Sequence, residues 1–310
     1  MLPATAVSLA VLAVLLAWPV PALLARAAWP GRDPLVALVC WQAIGLAGGL
    51  SIIGALLVHG LAPWGRSLPE ALWSVARSGP TDPVRGDHWV ALTLAGVLAL
   101  ELVGVLLLSW LRTARTRRRH RALLELVVQP SADLPDARLL EHAAPVAFCI
   151  PGARPLLVLS SGMVAELDDG QLAAVVAHER AHLMEHHHLL LLPFLAWEAA
   201  LPVLPAAARA HEAVRGLVEM RADDVALTTL PGAAPRRTLA RAIVAAAEGA
   251  GGAAVPSGAL AVAGSATGAR VVRLLQPPRP LPPAARYAAL VAAGLLLLLP
   301  TVLLVLPALA

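Results

Sequence analysis

Asp168-Asp-Gly-Gln-Leu-Ala-Ala-Val-Val-Ala-His-Glu-Arg-Ala-His-Leu-Met-Glu-His-His-His188 is the stretch around which the rest of the chain is organised. Inside it lies His178-Glu179-Arg180-Ala181-His182, two histidines four residues apart with a glutamate beside the first. On a helix, residues four apart share a face, so both imidazoles can reach one metal ion. Glu179 then stands next to that ion, free to take a proton from water. Asp168, three residues before Gln171, has the pattern of a capping box and predicts that the helix starts there.

Immediately upstream, 147–150 and 156–160 are short apolar runs separated by Pro151-Gly-Ala-Arg-Pro155, the pattern of a strand pair. Gly162 ends the second run. Leu156 to Ser160 is a candidate edge strand onto which an extended peptide adds, and ordinary interior β-structure is the competing reading. Downstream, two residues compete to complete a metal site. His188 follows His182 by six residues, a known zincin spacing, but Glu185 stands where that pattern has the glycine of a turn. Glu219, in Glu219-Met-Arg-Ala-Asp223, falls on a helix predicted over 209–230, with Asp223 one turn on to orient a ligand histidine. We favour Glu219. His186, His187 and His188 are then read as solvated or interfacial residues at a helix end, and Asp224 as a surface charge. His211, Arg221 and Tyr287 are the candidates for stabilising an oxyanion.

The surroundings have a membrane composition: 58% hydrophobic residues, 14% charged residues and a mean hydropathy of +0.73. Apolar spans are predicted at 2–24, 35–59 and 89–111, with a fourth over 287–306. The first lacks a preceding positive charge and exceeds the hydrophobic region of a signal peptide, so it reads as a retained span. Residues 60–88 read as a polar loop. Trp89 and Trp110 are 21 residues apart, about 31 Å along a helix, which matches a bilayer core with an aromatic residue at each interface. Six arginines then fall within 112–121. Directly after a span they read as a cytoplasmic topological anchor rather than a nucleic-acid patch, and Arg26 and Arg32 fall on the same side. The net charge of +4 is carried by arginine, since the chain has no lysine. The expected organisation is therefore a membrane region over 1–122, a cytoplasmic domain over 123–285 and a final span over 286–310. Residues 189–208 are apolar but broken by prolines, and are expected to graze or re-enter the membrane. Helical stretches are predicted at 238–248 and 269–275, before a stiff proline linker at 277–283. Glu101 and Glu198, in apolar surroundings, are functional candidates or hydrogen-bonded packing residues. Cys40 and Cys149 read as buried, reduced thiols.

The run Pro155-Leu-Leu-Val-Leu-Ser-Ser-Gly-Met-Val-Ala-Glu-Leu-Asp-Asp-Gly-Gln-Leu-Ala-Ala-Val-Val-Ala-His-Glu-Arg-Ala-His182, followed by Glu219-Met-Arg-Ala-Asp-Asp-Val-Ala226, resembles the membrane-embedded gluzincins. These are the M56 peptidases of the β-lactam-sensor type and their M48, HtpX-like relatives. The resemblance covers about residues 145–228. It implies a mainly α integral membrane protein with about four transmembrane helices in a bacterial cell membrane. A cytoplasmic α+β zincin-like domain would sit between the third and the last helix. It also implies zinc, with His178, His182 and Glu219 as ligands, Glu179 as catalytic base and Asp223 behind a ligand histidine. The helical layout is closer to M56, so the expected substrate is a cytoplasmic protein, a transcriptional repressor, without direct contact to nucleic acid. HtpX-like quality control of membrane proteins is the alternative. A catalytically silent transducer braced by zinc is the third reading, which the intact Glu179 argues against. The chain reaches Ala310 just past the last span, so the penicillin-binding sensor domain of the antibiotic sensors is expected to be absent.

Overall fold

The computed structural model describes residues 2–79, 85–130, 137–152, 155–200, 205–250 and 257–305. The first apolar span is two helices: α1 (Leu2–Ala17) stops at Trp18, and α2 (Pro19–Arg26) restarts with proline in its first turn. Pro19 has no N–H to continue the earlier helix, yet its fixed φ suits the opening of a new one. α3 (Pro34–Leu61) starts at Asp33, whose side chain accepts a hydrogen bond from the Val36 N–H at 3.2 Å.

The predicted loop over 60–88 contains a helix. After a 3-10 turn (Ala62–Trp64), α4 (Leu68–Ser78) begins where Ser67 Oγ accepts from the Glu70 N–H, and ends at Gly79 with φ 68°. Its polar composition hides a full set of helix signals: a serine cap, a first-turn proline and glutamate, a last-turn arginine and a closing glycine. α5 (Gly86–Val127) then runs for 42 residues without a break. The arginine-rich stretch extends the spanning helix, helped by an Arg121–Glu125 pair at 3.0 Å, one turn apart.

A small four-stranded sheet follows, made of β1 (Val128–Pro130), β2 (Ala137–Leu140), β3 (Ala147–Ile150) and β4 (Leu156–Ser160), in the order β1-β2-β4-β3. The expected β3–β4 pair is present and antiparallel, with Cys149 opposite Leu157. β4 also pairs in parallel with β2. It is therefore interior, which decides between the two readings of this strand against the edge; among the described strands the edges are β1 and β3. The apolar run of β4 reflects burial, with Leu157, Val158 and Leu159 each at most 5% exposed. Ser160 closes this strand, accepting from the Met163 N–H and donating to the Ala144 carbonyl, and so starts α6 (Ser161–Glu166). Gly162 packs against the neighbouring loop so closely that an added Cβ would sit 2.0 Å from the Ala143 carbonyl oxygen.

α7 (Asp169–Met184) opens with the expected capping box: Gln171 N–H to Asp168 Oδ1 at 2.8 Å and Asp168 N–H to Gln171 Oε1 at 3.2 Å. It does not carry all five histidines. The chain turns at His186, whose φ is 51°, and α8 (His187–Ala200) begins anew. α9 (Pro205–Thr229), α10 (Pro235–Ala250), α11 (Ser257–Leu275) and α12 (Pro283–Val305) complete the order. The apolar stretch over 189–208 is thus shared between α8 and α9, with 201–204 outside the described residues. Among the described residues, four helical segments are long and apolar enough to cross a membrane: Leu2–Arg26, Pro34–Trp64, Gly86–Val127 and Pro283–Val305.

Contacts divide the chain into two compact units. Met1–Ser109, Leu192–Val214 and Leu281–Ala310 form one, and Trp110–Leu191 with Arg215–Pro280 form the other. In the first, Leu2, Leu9, Ala55 and Val58 bury together, joining α1 to α3, with Leu303 and Leu304 of α12 against them. In the second, α7 has two apolar faces. Val176 packs against Ala137, Leu157 and Leu159 of the sheet. Ala174 packs against Ala226, Leu239, Ala242 and Leu274 of α9, α10 and α11. Small alanines let these helices approach closely, which brings their polar side chains within hydrogen-bond range. The crowding at Gly162 gives a test. Gly162→Ala is expected to destabilise the protein by about 1–3 kcal/mol through overpacking. Gly216→Ala, in α9 with open space around its Cβ, is expected to be neutral or to stabilise by about 0.5–1 kcal/mol. Thermal unfolding in detergent measures both.

Candidate metal centre

His178 and His182 project from successive turns of α7, and Glu219 faces them from α9. One nitrogen of each histidine and one Glu219 oxygen all lie within 4.8 Å of one another. His178 Nε2 is 3.1 Å from His182 Nε2 and 3.3 Å from Glu219 Oε2, and His182 Nε2 is 3.6 Å from Glu219 Oε1. Two imidazole nitrogens and one carboxylate oxygen converging in this way match the donor set of a catalytic zinc site with an open fourth position. The residues present fit that ion. Among the described residues this is the one such cluster of three.

Behind His178 lies Asp223, with no exposure to solvent, its Oδ1 2.9 Å from His178 Nδ1. In the form that would hold a cation, a proton on Nδ1 shared with that carboxylate would leave the Nε2 lone pair directed at the cluster. Arg270 of α11, absent from the sequence reading, completes the arrangement. It donates Nε and Nη2 to Asp223 at 2.9 and 2.7 Å, and Nη1 lies 3.0 Å from Glu219. Asp224, expected as a surface charge, makes a two-pronged ion pair with Arg273 at 2.8 and 2.7 Å. An Arg-x-x-Arg pattern facing Asp-Asp is the only sequence trace of this double pairing, and 47 and 49 residues separate the partners.

The charges follow from these contacts. Burial works against the His178 imidazolium, but Asp223 and Glu219 outweigh it and raise its pKa to about 9. Burial lowers His182 to about 4, leaving it neutral near pH 7. Burial also opposes ionised Glu219, yet the hydrogen bond from His178 and the Arg270 charge bring it down to about 2. Glu179 is the opposite case: burial raises it to about 7, against the attraction of His178, and the Cys149 backbone N–H donates to its carboxylate. Cys149 is a free thiol pushed up to about 12, first by burial and then by Glu179.

A cleft of about 800 Å³ opens onto the cluster. Its walls include Leu124, Phe148, Ile150, His182, Val218 and Glu219, so it is mainly apolar with two of the candidate ligands, His182 and Glu219, in its lining. Glu219 keeps 40% of its side-chain surface exposed. His188 lies on α8 outside the cluster, although it lines the same cleft. His187, expected at the surface, is 1% exposed and contacts His182. Of the oxyanion candidates, Arg221 is committed to the Glu185 carboxylate, His211 Nδ1 contacts Glu198 Oε2, and Tyr287 is 68% exposed on α12. Glu101 is an exposed residue of α5.

Residues 113–200 match the family model of peptidase family M48. No curated protein and no solved structure matched the chain. The matched segment includes β1 to β4 and the His178–His182 turns, and supports an M48-type peptidase, a class generally dependent on zinc. It ends before Glu219, Asp223 and Arg270, whose place rests on geometry. The buried Glu179 yields a pH test on metal-free protein. Its folded pKa lies above the ordinary 4.5, so the proton it holds stabilises the fold fully below pH 4.5 and loses that effect as pH rises through about 7. Across that window the stability of wild type is expected to fall relative to Glu179→Gln, with little change in the difference outside it, as measured by unfolding in the presence of a chelator.

Proposed function

We propose that the chain is a membrane-bound, zinc-dependent endopeptidase that hydrolyses peptide bonds in a protein at the cytoplasmic face of a bacterial cell membrane. The observation that carries this reading is the convergence of His178, His182 and Glu219 near Glu179, with His182 and Glu219 lining the cleft. Held by these three residues, zinc supplies Lewis acidity towards a peptide carbonyl and acidifies a water molecule. Glu179, near pKa 7, is suited to accept a proton from that water and to pass it to the departing amine. The Cys149 N–H fixes its carboxylate. Asp223 and Arg270 hold His178 and Glu219 in place, so the donors need little rearrangement. The apolar walls receive substrate side chains and limit water, and β3, an edge strand whose Phe148 and Ile150 line the cleft, is the side from which an extended peptide approaches.

Cleavage of a repressor, in the manner of M56 peptidases, and disposal of damaged membrane proteins, in the manner of HtpX-like peptidases, both use this chemistry and differ in substrate. Glu179→Ala is expected to retain zinc and to reduce cleavage by at least ~10²-fold, whereas His178→Ala and Glu219→Ala lose zinc. Comparing fragments in membranes from wild type and Glu179→Ala distinguishes the uses: one soluble cytoplasmic substrate indicates regulation, and many misfolded membrane proteins indicate quality control. Identical fragments from both strains would point to the silent transducer. With the arginine-rich stretch inside, a reporter fused at Ala310 is expected to report an extracytoplasmic C-terminus. Activity of a cytoplasm-only reporter there overturns the orientation.

A further inference from the structure

The two histidines of the cluster are steadied by different partners. His178 has Asp223 at its Nδ1, and among the described residues no carboxylate fills that place for His182. Instead His187 Nδ1 lies 2.9 Å from His182 Nδ1, with the rings edge to face at 4.8 Å. The contact depends on the turn that ends α7. His186 adopts φ 51°, a left-handed conformation uncommon for a residue with a side chain, and this folds the start of α8 back over His182. His187 is buried among these groups, 1% exposed, so its polar atoms have no access to bulk water. Its Nε2 makes no hydrogen bond and lies 3.4 Å from Glu185 Oε2. Glu185 is in turn held by Arg221, whose Nε donates to the same oxygen at 2.8 Å.

We infer that His187 is a positioning residue which sets the tautomer and ring orientation of His182, so that its Nε2 lone pair faces the metal. The inference rests on the reading of His178, His182 and Glu219 as the zinc ligands. Two Nδ1 atoms at 2.9 Å require one to donate and the other to accept. If His182 Nε2 is to bind a cation it carries no proton, so the proton sits on His182 Nδ1 and His187 Nδ1 is the acceptor. The neutral His187 then keeps its proton on Nε2, which lies 3.4 Å from the Glu185 carboxylate that Arg221 anchors, near it but without a hydrogen bond. Arg221, Glu185, His187 and His182 thus stand in series from α9 to the end of α7, with hydrogen bonds at its two ends and a charge–dipole contact between Glu185 and His187. A histidine buried for packing alone needs no such alignment of Nδ1 on Nδ1.

The test uses the purified full-length protein in detergent and measures zinc dissociation constants, with the absorption spectrum of the cobalt-substituted protein as a probe of ligand geometry. His187→Leu is expected to weaken zinc binding by ~10–100-fold and to alter the cobalt bands, while the melting temperature of the metal-free protein changes little. His187→Asn places an acceptor oxygen near the position of Nδ1, and is expected to stay within about 3-fold of wild type, well inside the loss typical of a missing supporting partner. Wild-type zinc affinity and spectrum in His187→Leu overturn the inference, as does equal weakening in His187→Asn. Should His187→Leu fail to fold, Glu185→Gln takes its place, and unchanged zinc affinity there overturns the inference. His178→Ala is the control for the site itself. If it abolishes binding while the His187 variants bind normally, only the role of His187 falls. If it binds zinc like wild type, the metal centre and this inference fall together.

Discussion

A carboxylate with no access to water, Asp223, sets the terms for the second unit. An uncompensated buried charge costs several kcal/mol, so such a residue is tolerable only with cationic and hydrogen-bonding partners in good geometry. Here His178 of α7 and Arg270 of α11 supply them. Meeting that requirement draws three helices together, and the same movement turns Nε2 of His178 and the carboxylate of Glu219 towards a common point. Arg273 with Asp224 repeats the contact one position along α9, so the α9–α11 pairing is fixed in register by two adjacent ion pairs. The apolar packing around it is built from alanines and leucines, which do not themselves define that register.

α7 serves as the axis of this unit because its faces have separate duties. Val176 faces the sheet, Ala174 faces the helical core, and the remaining side carries the histidines. Its capping box fixes where the first turn begins, and therefore which residues fall on which face. Glu179, between the two histidines in sequence, points instead towards β3, where the Cys149 N–H receives it. His178 sits in the body of the helix, whereas His182 is in its last turn, where the last carbonyls lack helical partners. The back-turned His187 stands at that weaker position.

The helices long and apolar enough to cross a membrane follow a simpler rule. In an apolar medium every backbone group must be satisfied within its own helix, and exposed apolar residues such as Leu100 on α5 are suited to lipid. Breaks occur where chemistry demands them, as at Pro19. The arginine-rich part of α5 does not end the helix, because arginine and leucine are both good helix formers and only the character of the surroundings changes along it.

Periodicity, capping and composition made much of this legible without a structure. The apolar spans, the His178–His182 pair, the β3–β4 hairpin and the Asp168 cap each depend on residues within a few positions of one another, so local sequence carries their signal. α4 carried the same kind of signal, and only its polar composition concealed it. What tertiary structure alone decided was pairing over distance. Arg270 reaches Asp223 across 47 residues, β4 gains an interior place only when β2 lies beside it, and His187 turns inward only because His186 takes a left-handed conformation. Such contacts leave no periodic trace in the chain, since their energy comes from burying and neutralising groups that meet only once the helices and sheet have packed.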